Sequence, residues 1–328
     1  MDLTVLVRAI HVAATILVAG AFAFQFFVVR GSREREWAAS VDGETGSWLR
    51  SCVLWSGAIA LLSWLLWLAL VAASMSGSSL GQALRIDVLG TVLARTTFGH
   101  VWLLRFSLMV LLGLELAWRR RGGDGPPLGL AAALIAAALL ASLAWAGHAV
   151  GTERPLRPLH LTADALHLLG AGLWLGALVP LFFVLSRART ARTQAWSAAA
   201  ARATAAFSRL GLFAVATLLV SGAINAWLLV RSVAALADTG YGQLVAVKLA
   251  LFLAIIAIAA VNRLRLAPRL QLDEPQRRQS ALDHLWRNVI LELALGAIIV
   301  AIVGVLGTTP PSFHKHSSDM PHTHVPAD

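Results

Sequence analysis

Three polar residues interrupt one apolar stretch of this chain, His160, Asp164 and His167, at an i, i+4, i+7 spacing. At about 100° per residue they share one helix face within roughly 60° of arc. Two imidazoles and a carboxylate on one face suit Cu(II) or Zn(II), because imidazole is a donor those ions favour. His11, His100 and His148 stand in or beside other apolar stretches. They can join that face only if the fold brings the stretches together. Near the carboxyl end, His314 and His316 are followed by Asp319, Met320, His322 and His324. A tract of this kind is expected to be flexible and to bind copper, zinc or nickel with modest selectivity.

The other ionisable residues inside apolar stretches need partners, since a charge at the centre of a bilayer costs on the order of 2.5 to 3.5 kcal/mol. They are Arg8, Arg105, Glu115, Lys248 and Glu292, with Asn225 and Tyr241 as polar neighbours. Arg8 and Lys248 lie near one surface, where a long side chain can reach water. Arg105 lies about 7.5 Å below His100 at 1.5 Å per residue.

The elements that carry these residues follow from composition. Of 328 residues, 58% are hydrophobic and 13% charged, with a mean hydropathy of +0.73. That balance belongs to an integral membrane protein. The apolar runs are continuous, which excludes a β-barrel of alternating strands. The net charge of +10 comes from arginine in short loops, with no basic and aromatic surface for nucleic acid. One cysteine, Cys52, excludes an internal disulfide and a CxxC site.

Windows of about 20 residues place eight spanning helices at 4–29, 48–73, 97–118, 128–150, 159–185, 207–230, 242–264 and 285–307. The stretch 79–95 is amphipathic and is read as interfacial or re-entrant. Eighteen of the 27 Lys and Arg residues fall in the odd-numbered loops and six in the even loops and tail. The odd loops are therefore expected in the cytoplasm and both termini outside. The small residues Ala19, Gly20 and Ala21 resemble a signal cleavage site, but the stretch has a counterpart later in the chain and is read as retained.

That counterpart is systematic. Ala9, His11, Gly20, Ala21 and Phe26 match Ala165, His167, Gly176, Ala177 and Phe182 at an offset of 156, and Gly99 and Arg105 match Gly242 and Lys248 at 143. The expected fold is an all-α polytopic membrane protein built from two parallel four-helix repeats, 1–150 and 151–307, followed by a His-rich tail, 308–328. Spans two and four match six and eight only weakly.

The segments Gly147-His148-Ala149, Asp164-Ala165-Leu166-His167, Gly172-Leu173-Trp174-Leu175-Gly176, Ser221-Gly222-Ala223-Ile224-Asn225 and Tyr241-Gly242-Gln243-Leu244 with Lys248 resemble the CopD copper-resistance membrane proteins over nearly the whole chain. The resemblance implies a bacterial inner membrane, copper handling, and a periplasmic copper carrier of the CopC type as partner. Four methionines and one cysteine supply no ladder of soft ligands for Cu(I), which favours a His/Asp entry site.

Three functions fit these residues. The first is a copper permease, not an enzyme, with His11, His100, His148, His160, Asp164 and His167 as an external site and the tail as a capture arm. The second is a redox protein holding haem b between His11 and His167, or between His100 and His148. The third is a structural subunit.

Overall fold

The structure, a computed structural model, describes residues 2–30, 37–121, 128–230 and 232–309. It is helical, and no strand occurs among the described residues. The helices are α1 (Leu3–Ala23), α2 (Ala39–Ser76), α3 (Leu80–Ala83), α4 (Ile86–Arg95), α5 (Thr97–Arg121), α6 (Leu130–Ala141), α7 (Arg157–Ala171), α8 (Ala177–Ala191), α9 (Gln194–Val230), α10 (Val233–Asp238), α11 (Gly240–Val261) and α12 (Pro275–Leu306).

Seven spans among the described residues are long and apolar enough to cross a membrane: α1, α2, α5, α7 running into α8, α9, α11 with the turns that follow it, and α12. Against the eight spans expected from sequence, the described residues hold seven long spans and one short apolar helix, Leu130–Ala146. The expected fourth span breaks for a local reason. The Leu139 carbonyl, which would serve its own helix, accepts from Arg105 Nη1 at 2.6 Å and from Ser142 Oγ at 2.8 Å. The chain then tightens into a 3₁₀ turn, Ser142–Ala146, and becomes extended at Gly147. The stretch 79–95 forms the short helices α3 and α4, and α4 packs on α5. Two spans run further than hydropathy suggests, to 38 residues in α2 and 37 in α9.

α7 and α8 form one span through a π-helical turn, Gly172–Gly176. The Ala177 N–H closes this turn on the Gly172 carbonyl, and Pro180, just beyond, has no N–H to return to the residue-176 carbonyl. α1 is the most enclosed span and contacts α2, α6, α8 and α12. Its Gly20 lies directly against Gly176, and a Cβ on either glycine would overlap the other's backbone. Large apolar side chains such as Leu62, Phe213 and Trp118 point outward, as a lipid-facing surface requires.

Gly176→Ala is expected to lower stability by about 1–3 kcal/mol, because packed backbones must separate. Gly113→Ala, where nothing lies within 4 Å, should be neutral. Thermal unfolding in detergent distinguishes them, and equal midpoints would refute the close contact.

Candidate metal centre

The polar residues of the apolar stretches divide into a closed cluster and an open one. The closed cluster surrounds His11, which is 0% exposed, as is Arg105. His11 Nδ1 lies 3.0 Å from the Ala60 carbonyl and 3.1 Å from Ser63 Oγ, while Nε2 lies 2.7 Å from Arg105 Nη2. A carbonyl only accepts, so Nδ1 carries the proton and Nε2 accepts from the guanidinium. Arg105 also donates to Ser142 Oγ at 2.6 Å and lies over the Trp64 ring at 4.7 Å. Trp64 stacks on His11 with centroids 4.9 Å apart. This is how a cation without a carboxylate is housed in an apolar interior, by carbonyl, hydroxyl, imidazole and π-face together.

The open cluster surrounds His167. A cavity of about 230 Å³ near the end of the bundle where α1 begins is lined by His148, His160, Asp164 and His167, with Arg8, Asn225, Tyr241 and Lys248 around them. His167 Nδ1 is 3.1 Å from Ser221 Oγ, whose own proton goes to the Thr217 carbonyl at 2.5 Å. Ser221 therefore accepts from Nδ1–H, and the lone pair lies on Nε2. The ring also bonds the Leu218 backbone, and no side chain among the described residues hydrogen-bonds Nε2. Asp164 Oδ1 accepts weakly from Asn225 Nδ2 at 3.4 Å, and Asn225 Oδ1 is buried with no partner. His160 Nδ1 meets Thr152 Oγ1 at 2.6 Å, and His148 Nε2 donates to the Leu306 carbonyl at 2.9 Å. Arg8 Nη1 donates to the Gly307 carbonyl at 2.9 Å and lies over Trp67.

The structure thus brings together His148, His160, Asp164 and His167 and leaves two predicted ligands elsewhere. His11 has neither nitrogen lone pair available, which removes it as an axial ligand in the haem reading. His100 is exposed and donates from Nε2 to the Ala94 carbonyl at 3.1 Å. Among the described residues no group of three or more His, Cys, Asp or Glu is placed to hold a metal ion at once. The cavity therefore offers donors spread along its wall. Glu115 pairs with Arg119 at 2.6 Å, away from this cavity. Glu292, 2% exposed, accepts from Asn262 Nδ2 at 2.6 Å, and Asn262 in turn accepts from Asn288 at 2.7 Å. His314, His316, His322 and His324 lie outside the described residues.

Sequence reasoning assigned no role to Ser63, Ser142, Ser221 and Trp64, which decide what each histidine can do. A signal existed at an offset of 158, which relates Ser63 to Ser221. Each bonds the histidine of its half and returns its proton four residues back, to Ile59 or Thr217. Residues 143 apart also act alike: Gln243 Nε2 donates to the Ala237 carbonyl at 2.8 Å, six residues back, as His100 does.

The fold and cavity define a polytopic helical membrane protein with imidazole, carboxylate and amide donors at one end of the bundle. The family profile described as "Copper resistance protein D" matches residues 201–306, and that described as "Copper resistance protein D-like, N-terminal domain" matches residues 1–158. The chain is 30% identical to Copper resistance protein D of Pseudomonas syringae pv. tomato over 259 residues, covering 77% of this chain and 81% of the relative. It is 31% identical to Inner membrane protein YebZ of Escherichia coli (strain K12), covering 66% and 70%. Copper transport protein CutJ of Bacillus subtilis (strain 168) is 30% identical over 78% of this chain, which spans 45% of that longer protein. No solved structure matches. The chain belongs to the copper resistance protein D family of membrane proteins.

His11→Ala leaves Nη2 of the buried Arg105 without its acceptor and is expected to cost about 1–3 kcal/mol. His167→Ala, beside a cavity, should cost clearly less. Equal losses of thermal stability in detergent would show that the two clusters are not closed and open as described.

Proposed function

We propose that this protein is an inner-membrane copper permease that accepts copper from the periplasm at the cavity of Asp164 and His167 and moves it across the bilayer. The observation that carries this reading is the pairing of a lone pair on His167 Nε2 with an unpartnered Asn225 Oδ1 beside the Asp164 carboxylate. Imidazole, carboxylate and amide oxygen suit a divalent ion such as Cu(II). Copper is cargo here, and no enzymatic step belongs to the reading. Donors spread along a wall fit a cargo that must leave again, since a closed four-ligand cage holds its ion. His148 and His160 serve as further contacts at the mouth, and the tail histidines as a capture arm. A soluble periplasmic carrier of the CopC type is the expected donor.

In this reading the short helix Leu130–Ala146 also crosses the membrane, both termini face the periplasm, and the two halves descend from one duplicated four-helix unit. Support comes from the basic residues: Arg187 with Glu44, Arg189 with Asp283, and Arg263 with Ser208 cluster away from Arg8 and His148. The haem alternative is set aside because His11 has no lone pair to give and the exposed His100 does not share the cavity of His148.

In protein whose four tail histidines are replaced by alanine, His167→Ala and Asp164→Asn are each expected to weaken copper binding by about 10- to 100-fold. Equilibrium dialysis reads this directly, with exposed His284→Ala as the unaffected control. Unchanged affinity in the His167→Ala, Asp164→Asn double variant would move the site elsewhere.

Alkaline phosphatase fused after Asp328 should be active, because that enzyme needs the periplasm. Activity of a cytoplasmic reporter at the same position would reverse the orientation.

A further inference from the structure

The second half of the chain carries a continuous lined face. On α11 and the turn after it, positions 241, 245, 248, 252, 255, 259 and 262 step by four and three, and each lines a cavity. Positions 285, 289, 292, 296, 299, 303 and 306 of α12 do the same. Such stepping keeps residues on one helix face. Three cavities lie along these faces, of about 230, 340 and 350 Å³. The first and second share His167, Gly222 and Lys248 as wall, and the second and third share Trp174, Leu178 and Glu292. From Tyr241 to Arg263 is 22 residues, about 33 Å of helix at 1.5 Å per residue. The hydrocarbon core of a bilayer is about 30 Å thick.

The first half holds the same parts in closed form. At the offset of 158, Trp64 corresponds to Gly222. Trp64 is 0% exposed and stacked on His11, whereas a Cβ on Gly222 would stand 3.2 Å from His167 Cε1 with no ring beside it. At the offset of 143, Arg105 corresponds to Lys248. Arg105 is tied to Leu139, Ser142 and His11, whereas Lys248 makes no hydrogen bond among the described residues and is coupled to its surroundings through the charge of Asp164. An indole and a fixed guanidinium fill on one side what a glycine and an untethered ammonium leave open on the other.

We propose that the second half alone provides a hydrated passage through the membrane, narrowed first at His167 and Lys248 and then at Glu292, and that the first half is its sealed counterpart. Asp164 and Glu292 are the carboxylates of the three cavities, one before the first constriction and one at the second. They are the groups on this route that can attract a cation, against Arg8, Lys248 and Arg263 on the same walls. The identity of that cation as copper rests on the permease reading above, while the route itself does not.

The test uses the full chain with Cys52→Ser, reconstituted in lipid vesicles. Single cysteines at Val245, Phe252 and Ala259 face the passage; at Val247, Leu253 and Val261 they face lipid. A small charged methanethiosulfonate should modify the first group at least about tenfold faster, because thiolate and reagent both need water. Cysteines at Trp102, Met109 and Leu116, the positions 143 residues earlier, should react as slowly as the lipid-facing set. Equal rates for passage and lipid faces, or equal rates in the two halves, overturn the proposal. Gly222→Trp should then close the route, lowering copper flux and Ala259→Cys labelling from the α1 side together, while Trp64→Gly leaves that flux in place. Fast passage labelling without copper flux in the parent sinks the permease reading and leaves the passage standing.

Discussion

The contact on which the arrangement depends is backbone against backbone, Gly20 of α1 on Gly176 of the π-helical turn. Between helices in lipid the hydrophobic effect gives no drive, and association rests on close van der Waals approach and on polar contacts. Two glycines 156 positions apart supply the approach. They also fix where everything else falls, because His11 and His167 stand at one distance, nine residues, before their glycines. Once the glycines touch, the histidines are held on opposite sides of the contact, at one depth, each facing the helix that follows in its own half. α2 meets His11 through Ser63, and α9 meets His167 through Ser221.

On the duplication proposed above, the two halves differ at the paired places that decide how each histidine is surrounded. An arginine can be satisfied by carbonyls and a π-face at several points at once, because its guanidinium is a planar fork with five donors. Arg105 uses this, and by drawing on the Leu139 carbonyl it ends the regular part of α6. A lysine at the matching place has one compact charged head and no planar face to lay on an indole. Lys248 leaves its neighbourhood less filled, and with Gly222 in place of a tryptophan the space beside His167 stays open. The difference between a packed support and a lined cavity is thus set by which residue fills each paired place.

Much of this was legible in the sequence. Hydropathy located the long spans, and the 156 offset picked out His11, His167 and the glycine pair before their contact was visible. The i, i+4, i+7 spacing placed His160, Asp164 and His167 along one cavity wall. Three things were not legible. The fourth apolar run has the composition of a span, but hydropathy does not register a carbonyl captured by a buried arginine. The pairing of α2 with α9 was hidden because Trp64 and Gly222 differ as much as two residues can, so the matched serines beside them carried little weight. Finally, a histidine's type says nothing of its lone pair. His11 and His167 look alike as letters, and only the acceptor on Nδ1 and the guanidinium on Nε2 show that one is spent.

Charge in the cavity bears on how a cation could reside there at all. Asp164 lies with Arg8 and Lys248 on the same walls, two cations to one carboxylate. Arg8 occupies the place in α1 that Asp164 occupies in α7, at the offset of 156, so the opposite charges are counterparts across the glycine contact. Arg8 is anchored on the cavity wall to the Gly307 carbonyl and to the Trp67 face. Lys248 is not anchored. An arriving cation and the ammonium therefore face one carboxylate, and in a medium of low dielectric they repel each other. In the permease reading, a cation that binds beside this ammonium keeps a moderate affinity, because part of its attraction to Asp164 is offset by repulsion from Lys248. Moderate affinity is what passage requires, since an ion held as tightly as in a closed cage would enter and stay.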